Sequence, residues 1–178
     1  MIDYLSIKKY LPSDFNDESK VWIYQSDRML NISEALSIEP TLTNFIEQWK
    51  SHGAPVKGFA NLIFGQFIIF MADETNTSVG GCSTDTSVRL IKQLEQDLKI
   101  DFFHRQNLAF IIKEKIQILP MQQINYALEN EFITADTLFF NNLVATKKEL
   151  ENNWVVPIKN TWLATRYNVT QLITNSLN

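Results

Sequence analysis

The sequence predicts an α+β fold, a single domain in which an antiparallel or mixed sheet of β-hairpins has helices packed on it. Short runs of β-branched and aromatic residues occur in pairs separated by turn residues, which is the pattern of hairpins. Stretches with the 3.6-residue period of an amphipathic helix stand between those pairs. Hydrophobic residues make up 45% of the 178-residue chain and aromatic residues 12%, so it has enough apolar side chains for a sizeable core.

The first elements are a strand and a helix. Residues 21–24 form a β-branched and aromatic run, which is typical of a strand. A helix is expected over residues 40–51, because its apolar residues fall on one face. Pro40 suits the first turn of such a helix, and Gly53 suits the position just beyond its end.

A hairpin and a second helix follow. Residues 56–64 and 66–72 predict two strands joined at Gly65, which would be a turn or a bulge. The second strand is apolar without alternation, so we expect it to be central in the sheet and covered on both faces. An amphipathic helix is expected over residues 83–99, with its Ser, Thr and Asp side chains available to cap it.

The second half of the chain predicts a further hairpin and two helices. In order, these are a hairpin of residues 108–112 and 115–119, a helix over 121–132 and a helix over 146–153. Phe132 is expected to point inward at the end of the first of these helices. Thr146 and Glu149 have the spacing of a capping box. Residues 138–144 are compatible with either helix or strand.

The domain boundaries follow from this order of elements. Residues 1–167 are interpreted as the single α+β domain. Residues 168–178 are interpreted as a polar C-terminal tail that frays.

Charge and hydropathy exclude several classes of partner. The net charge is −4 and there is no basic block, so a nucleic-acid partner is not expected. The longest apolar stretch is interrupted by polar residues, and a bilayer-spanning helix needs about 20 apolar residues, so no membrane association is expected. The beginning of the chain lacks the pattern of a signal peptide, and a single cysteine fits a reducing compartment. We therefore predict a soluble cytoplasmic protein.

The most informative motif is the stretch of residues 80–87, Gly-Gly-Cys-Ser-Thr-Asp-Thr-Ser, at the predicted helix start. Glycines that reach positive φ and a helix N-terminus together can cradle a small anion or nucleotide. The ligand-binding candidates are Gly80, Gly81, Ser83, Thr84 and Asp85, with Arg89 or Arg105 as the countercharge. An ordinary strand–turn–helix connection explains the same residues, and Asp85 would repel an anion.

Cys82 is the candidate nucleophile or redox-sensitive thiol. A helix N-terminus stabilises a thiolate and lowers its pKa from the free value of about 8.5. Strong catalysis also needs a base, for which His104 is the candidate. The competing interpretation is a small buried residue in a tight turn.

Asp73 and Glu74 are weak candidates for a metal site. They end the predicted central strand, and with Asp85 they could bind a hard cation such as Mg²⁺. Two acidic residues at the start of a surface loop are more commonly only solvated. The chain has no zinc-ligand spacing and no G-x-x-x-x-G-K-[ST] loop, so no metal and no cofactor is predicted.

Residues 79–85 follow an apolar strand that ends in Met-Ala-Asp-Glu at residues 71–74. This arrangement, with residues 101–105, residues 140–144 (Phe-Asn-Asn-Leu-Val) and Trp162, resembles an uncharacterised family of short bacterial proteins often labelled "ABC transporter ATPase". The label implies ATP hydrolysis, but the chain has no Walker A lysine to reach a β- or γ-phosphate. The resemblance therefore implies a bacterial protein without assigned catalytic residues.

The function predicted from the sequence is that of a cytoplasmic, non-catalytic binding or protein-interaction module. Its partner would be a second copy of the chain or another protein. The alternatives are a thiol-dependent enzyme or redox-responsive protein using Cys82, and a small-anion or nucleotide-binding protein using residues 80–85. Whether the chain is an enzyme is left open, with an ATPase disfavoured.

Overall fold

The computed structural model describes residues 3–169, apart from the side chains of Cys82 and Ser83. The strands are β1 Lys20–Gln25, β2 Lys50–Ser51, β3 Ala54–Pro55, β4 Lys57–Ile63, β5 Phe67–Asp73, β6 Asn107–Ile112, β7 Lys115–Pro120, β8 Leu138–Phe140 and β9 Val155–Pro157. The α-helices are α1 Ile32–Gln48, α2 Gly81–Leu98, α3 Ile124–Glu129, α4 Lys147–Asn153 and α5 Trp162–Arg166. The strands pair in antiparallel fashion, with helices between the hairpins, and the predicted α+β fold is confirmed.

The chain divides into two compact units. The N-terminal unit consists of Ser6–His104 and Val144–Glu151, and it contains a sheet of order β1-β5-β4 and the small β2-β3 hairpin. The C-terminal unit consists, within the described part of the chain, of residues 3–5, 105–143 and 152–169, and its sheet has the order β7-β6-β8-β9. That residues 1–167 act as one domain stays a prediction.

Strand β5 is the centre of the N-terminal unit. It pairs with β1 on one edge and β4 on the other, and all seven of its residues are buried. Since alternate side chains point to opposite faces, both faces of the strand are covered, as predicted. One face packs on apolar residues of both long helices, and this core includes Ile38, Leu42, Ile68, Phe70, Ile91 and Leu94.

A distant segment completes the edge of β1. Residues 144–151 are separated from the rest of the N-terminal unit by the C-terminal unit's sequence. Val21 donates a backbone hydrogen bond to Ala145, and Lys147 donates one to Ser19, both at 2.9 Å. The Lys147 ammonium group is buried and donates to the carbonyl of Phe15 at 2.9 Å. The segment therefore fixes both β1 and the chain that precedes it.

Helix α1 begins earlier than predicted. Its N-cap is Asn31, whose side chain accepts a hydrogen bond from the Glu34 N–H at 2.9 Å, and the Glu34 carboxylate bonds back to the Asn31 N–H. This capping box places Pro40 inside the helix rather than in its first turn. Pro40 is exposed, so water can reach the carbonyl that its missing N–H leaves unpaired. The prediction of a helix over residues 40–51 was therefore wrong at both ends.

The hairpin turns share one backbone feature. Positive φ angles occur at both central residues of three connections, namely His52-Gly53, Phe64-Gly65 and Lys113-Glu114. Such pairs are typical of type I′ turns, whose twist matches that of the flanking strands. Gly65 is thus confirmed as a turn residue, whereas Gly53 belongs to the β2–β3 turn and does not end α1.

In the C-terminal unit, the prediction of a single helix over residues 121–132 was wrong. A short 3-10 helix over Met121–Gln123 leads into α3, and Glu131, with φ of 55°, reverses the chain soon after α3 ends. Phe132 is consequently exposed rather than inward. The core of the unit instead includes Leu108, Phe110, Ile124, Leu128, Ile133, Phe139, Leu163 and Val169.

The last part of the described chain contains strand β8, helix α4 and the start of the predicted tail. Residues 138–140 of the ambiguous stretch are strand β8. Thr146 accepts a hydrogen bond from the Glu149 N–H at 3.2 Å at the start of α4, as its predicted capping role requires. The Glu149 carboxylate bonds to the N–H of Ala145 instead of that of Thr146. Val169 is buried, and residues 170–178 of the predicted tail lie outside the described residues.

Candidate functional site

The loop between β5 and α2 carries the motif that the sequence singled out. Its conformation is fixed from both sides, because Glu74 accepts hydrogen bonds from the Val79 N–H and from the Lys20 ammonium group at 3.0 Å. The Ser51 hydroxyl also donates to the carbonyl of Ser78 at 2.7 Å. Helix α2 then begins at Gly81 with Gly80 as its N-cap.

The two glycines do not have the backbone expected of them. Gly80 is extended, with φ of −84° and ψ of 178°, and neither it nor Gly81 has a positive φ. A Cβ at Gly80 would lie 3.3 Å from Nε2 of His52, whereas a Cβ at Gly81 would meet open space. Gly80 is therefore explained by the close approach of an imidazole, and no backbone strain requires Gly81.

The N-cap position itself provides no side-chain cap, since Gly80 has no side chain to offer. Thr84 lies inside the first turns, with its hydroxyl 3.5 Å from the carbonyl of Gly80. Asp85 and Arg89 are exposed one turn apart on α2. The structure thus brings Gly80, Gly81, Thr84 and Asp85 together at the start of α2, while Arg105 belongs to the other unit. Anion binding here stays a prediction.

Of the candidate thiol Cys82 and its candidate base His104, the structure describes only the side chain of His104. The side chain of Cys82 lies outside the described part of the structure, as does that of Ser83. His104 is exposed, and its Nδ1 lies 3.8 Å from Oδ2 of Asp101. Asp101 in turn accepts the N–H of Phe103 at 2.7 Å. A catalytic role for Cys82 with His104 stays a prediction.

Asp73, at the end of β5, has a denser set of polar contacts. Its Oδ1 accepts hydrogen bonds from the hydroxyl and the N–H of Thr75. Its Oδ2 accepts from the Asn16 N–H at 3.1 Å and from the Lys57 ammonium group at 3.2 Å. Lys57 also contacts the carbonyl of Asp14 at 2.7 Å and its carboxylate at 3.1 Å. One ammonium group is therefore shared by two carboxylates, those of Asp14 and Asp73.

The pKa values follow from these contacts. The hydrogen bond from the Thr75 hydroxyl is the largest cause that holds the pKa of Asp73 well below its usual range, and the bonds from backbone N–H groups and from Lys57 act in the same direction. The carboxylates of Asp14 and Asp73 raise the pKa of Lys57. Lys57 stays protonated and Asp73 ionised at neutral pH, so neither is suited to act as a general acid or base.

An open pocket of about 330 Å³ adjoins this cluster. It is lined by Ser13, Asp14, Phe15, Asn16, Lys57, Asp73, Thr75 and Asn76. The Lys57 ammonium group lies 4.7 Å from the centre of the Phe15 ring, which lies beneath it as a cation–π partner. The charged groups of the pocket contact one another, so its walls are held in place by their own hydrogen bonds.

The two candidate metal ligands, Asp73 and Glu74, each bind other groups of the protein. Asp73 accepts four hydrogen bonds, and Glu74 is occupied by Val79 and Lys20. Among the described side chains, which exclude that of Cys82, no group of three His, Cys, Asp or Glu residues is placed to hold a metal ion. The two carboxylates are explained as anchors of the loops on either side of β5.

Sequence reasoning missed Lys57 and His52. Lys57 and Asp73 are equally distant from Gly65 along the chain, and they pair directly across the hairpin. A register centred on Gly65 would have found this ion pair. His52 could not be placed beside Gly80 from the sequence, because it depends on the turn between β2 and β3.

Large apolar side chains are also exposed on the N-terminal unit. Ile32 and Leu36 lie one turn apart at the start of α1, with 80% and 63% of their surface exposed, and Met29, just before the helix, is 49% exposed. We call these three residues the α1 face. The three residues lie close together along the chain, and exposed apolar patches are typical of interaction surfaces.

Comparisons with protein-family models, with curated proteins and with solved structures find no match to this chain. The resemblance to the bacterial family labelled "ABC transporter ATPase" stays a prediction. Among the described helices, none combines the length and apolar character needed to cross a bilayer.

Proposed function

We propose that the chain is a cytoplasmic, non-catalytic protein-interaction module that associates with a second copy of itself through the α1 face. The observation that carries the proposal is the exposure of Met29, Ile32 and Leu36. Removing apolar side chains of this size from water contributes about 1.5–3 kcal/mol each when burial is complete.

The α1 face is held in a defined conformation before any partner binds. Arg28 donates two hydrogen bonds to Glu34, at 2.7 and 2.8 Å, and Glu34 is also part of the capping box with Asn31. The hydrogen bond from Arg28 is the main cause that lowers the pKa of Glu34 to about 2. A surface ordered in advance loses less conformational entropy on binding, which favours association.

Charge supports a second copy as the partner. Ile32, Ser33, Leu36 and Ser37 are exposed and carry no charge. The flanking charges of Arg28 and Glu34 offset each other in an ion pair, so two copies of Ile32 and Leu36 can meet with little like-charge repulsion, even though the whole chain has a net charge of −4. A non-catalytic role is supported by the Asp73–Lys57 cluster, because Lys57 is paired with the carboxylates of Asp73 and Asp14 and neither Lys57 nor Asp73 is suited to act as a general acid or base.

Light scattering coupled to size-exclusion chromatography, over a range of protein concentrations, tests the proposal. We expect the unaltered chain to associate at micromolar concentration, and Leu36→Lys or Ile32→Lys to shift the equilibrium to the monomer. Leu143→Lys is the matched control, because Leu143 is 71% exposed but lies in the other unit. A monomer at every concentration, or association weakened only by Leu143→Lys, would contradict self-association through this face.

A further inference from the structure

We propose that the C-terminal unit has its own docking surface, formed by Tyr126, Glu129, Glu131 and Phe132, which binds an arginine-bearing segment of a partner protein. We call these four residues the aromatic–acidic surface. The inference goes beyond self-association through the α1 face, since it concerns another unit and another kind of partner. Either proposal can fail without the other.

The surface is built on an exposed aromatic pair. The rings of Tyr126 and Phe132 stack with their centres 6.2 Å apart and their planes at 27°. Both residues are 62% exposed. Tyr126 lies on α3, and Phe132 follows the chain reversal at Glu131, so the pair joins two segments that have different directions. Together the rings present more apolar area to solvent than either ring alone.

Backbone hydrogen bonds hold the pair in place. The Phe132 N–H donates to the carbonyl of Ala127 at 2.9 Å, and the Asn130 side chain donates to the carbonyl of Tyr126 at 2.8 Å. Ala127 and Leu128 are buried beneath them in the core of the unit. The backbone that carries the aromatic pair is therefore ordered before binding, which lowers the entropy cost of association.

Charge defines the partner. Glu129 lies three residues after Tyr126 on the same side of α3, Glu131 directly precedes Phe132, and both carboxylates are on exposed residues. The sequence from 116 to 146 contains no Lys, Arg or His that could neutralise them locally. A second copy of this surface would bring carboxylates together, whereas a cationic segment would complement them.

Aromatic faces beside carboxylates favour arginine over lysine. A guanidinium group is planar, so it can stack on an aromatic ring while its N–H groups bond to a carboxylate at the edge. Lysine is a compact, strongly hydrated point charge and gains less from the ring faces. Tyr126 and Phe132 supply the faces and Glu129 and Glu131 supply the acceptors, which is the combination that arginine uses.

The test is a titration of the full chain, labelled with ¹⁵N, with a blocked pentapeptide that contains two arginines. We expect saturable shifts of the resonances of residues 126–132, with a dissociation constant in the millimolar range, because one small exposed surface is engaged. A peptide with citrulline in place of arginine keeps the planar shape without the charge. It should bind about fivefold more weakly.

Two variants of the aromatic–acidic surface and one control variant test whether the peptide binds at this surface. Glu131→Gln keeps the shape of the side chain and should weaken the arginine peptide about fivefold. Phe132→Ala should remove the preference for arginine over a lysine peptide, since the stacking face is lost. Glu39→Gln makes the same charge change at an exposed position of α1 and should leave binding unchanged.

Three results would overturn the proposal. These are equal binding of the citrulline and arginine peptides, shifts that map outside residues 126–132, and no saturable shift at about 10 mM peptide, a concentration that detects millimolar affinities. The light-scattering experiment on the same samples reports the α1 face separately. Loss of peptide binding is thereby distinguished from loss of self-association.

Discussion

The hairpins β4–β5 and β6–β7 have the same antiparallel pairing but bury their inner strands to different extents. Strand β5 is buried at all seven positions, whereas β6, which also has a neighbour on each edge, is buried at three of six. The turns differ as well, since the first contains Gly65 and the second, Lys113-Glu114, contains no glycine. A central position in a sheet is therefore not enough to bury a strand, because both of its faces must also be covered.

The difference also explains the polar cluster. A strand buried along its whole length ends at Asp73 in a place where a carboxylate has little access to water. Four hydrogen bonds stabilise the ionised carboxylate there and offset the cost of its burial. The far end of β6–β7, at Asn107 and Pro120, carries no charge. The more deeply buried hairpin thus ends in a charged residue with four hydrogen bonds, whereas the less buried hairpin ends in uncharged residues.

The largest expected effect comes from Phe70→Ala compared with Phe110→Ala. Both side chains are fully buried, and loss of a buried phenylalanine costs about 3–5 kcal/mol. Phe70 contacts the rings of Tyr24, Phe45 and Trp49 at 5.5–6.4 Å, and Phe110 contacts that of Phe139. We expect the larger loss at Phe70, measured by urea unfolding. A larger loss at Phe110 would reverse the comparison.

Asp73→Asn should give the next largest effect, about 1–3 kcal/mol, because hydrogen bonds to a charged acceptor are weakened. The pKa of Asp73 is lowered in the folded chain, so its contribution is present above the unfolded pKa of about 3.9 and is lost as pH falls below that value.

Thermal unfolding between pH 2 and 7 measures this contribution. The variant should lose less stability than the unaltered chain as pH falls. Asp136→Asn is the control, because Asp136 is exposed and pairs with Lys159 at 2.6 Å in the C-terminal unit. If the pH dependence of stability changed equally in both variants, Asp73 would contribute no more than an exposed carboxylate.

Gly65→Ala tests the first turn. Gly65 has φ of 67°, and an added Cβ would be in ordinary contact with Met29 at 3.6 Å. The cost should therefore come from the backbone alone, at about 1 kcal/mol. Chemical denaturation should show a lower midpoint with an unchanged slope. A neutral result would mean that the turn tolerates a side chain as readily as the second turn does.

Glu114→Gly, in the second turn, is expected to have the smallest effect and the opposite sign. Glu114 has φ of 62°, which glycine adopts without steric cost. Stability should rise by about 0.5 kcal/mol, a little below the full steric gain because glycine also gains entropy when unfolded. The same denaturation experiment measures this change in stability. Lys115→Gly, outside the turn, is the control and should destabilise the protein.

Part of this fold is local enough to be predicted from sequence. The continuous apolar run of β5 predicts a strand covered on both faces, and two polar residues between apolar runs predict the turn at Lys113-Glu114. The start of α1 was predictable in principle, since Asn31 and Glu34 have the spacing of a capping box. Pro40 predicts a later start, because proline is favoured in the first turn of a helix.

The candidate sites depend on contacts between distant residues, and there the sequence is less informative. Asp73 was identified as a notable carboxylate, but its partner Asn16 is separated from it by the whole of β1, α1 and the hairpin. The sequence predicts Phe132 in the core because it continues the helical period of Ile124 and Leu128. The reversal at Glu131 is a single backbone angle that this period does not encode, and it places the ring on the surface beside Tyr126.

The return of residues 144–151 to the edge of β1 has a consequence for synthesis on the ribosome. Strand β1 is translated more than 100 residues before its partners, so the backbone N–H of Val21 and the carbonyl of Ser19 gain their hydrogen bonds only when Ala145 and Lys147 have been made. The N-terminal unit therefore cannot be completed until residues 144–151 have been translated. Until then its β1 edge is open to other strands, so a nascent chain that stalls before residue 144 would be the form most exposed to chaperones and aggregation.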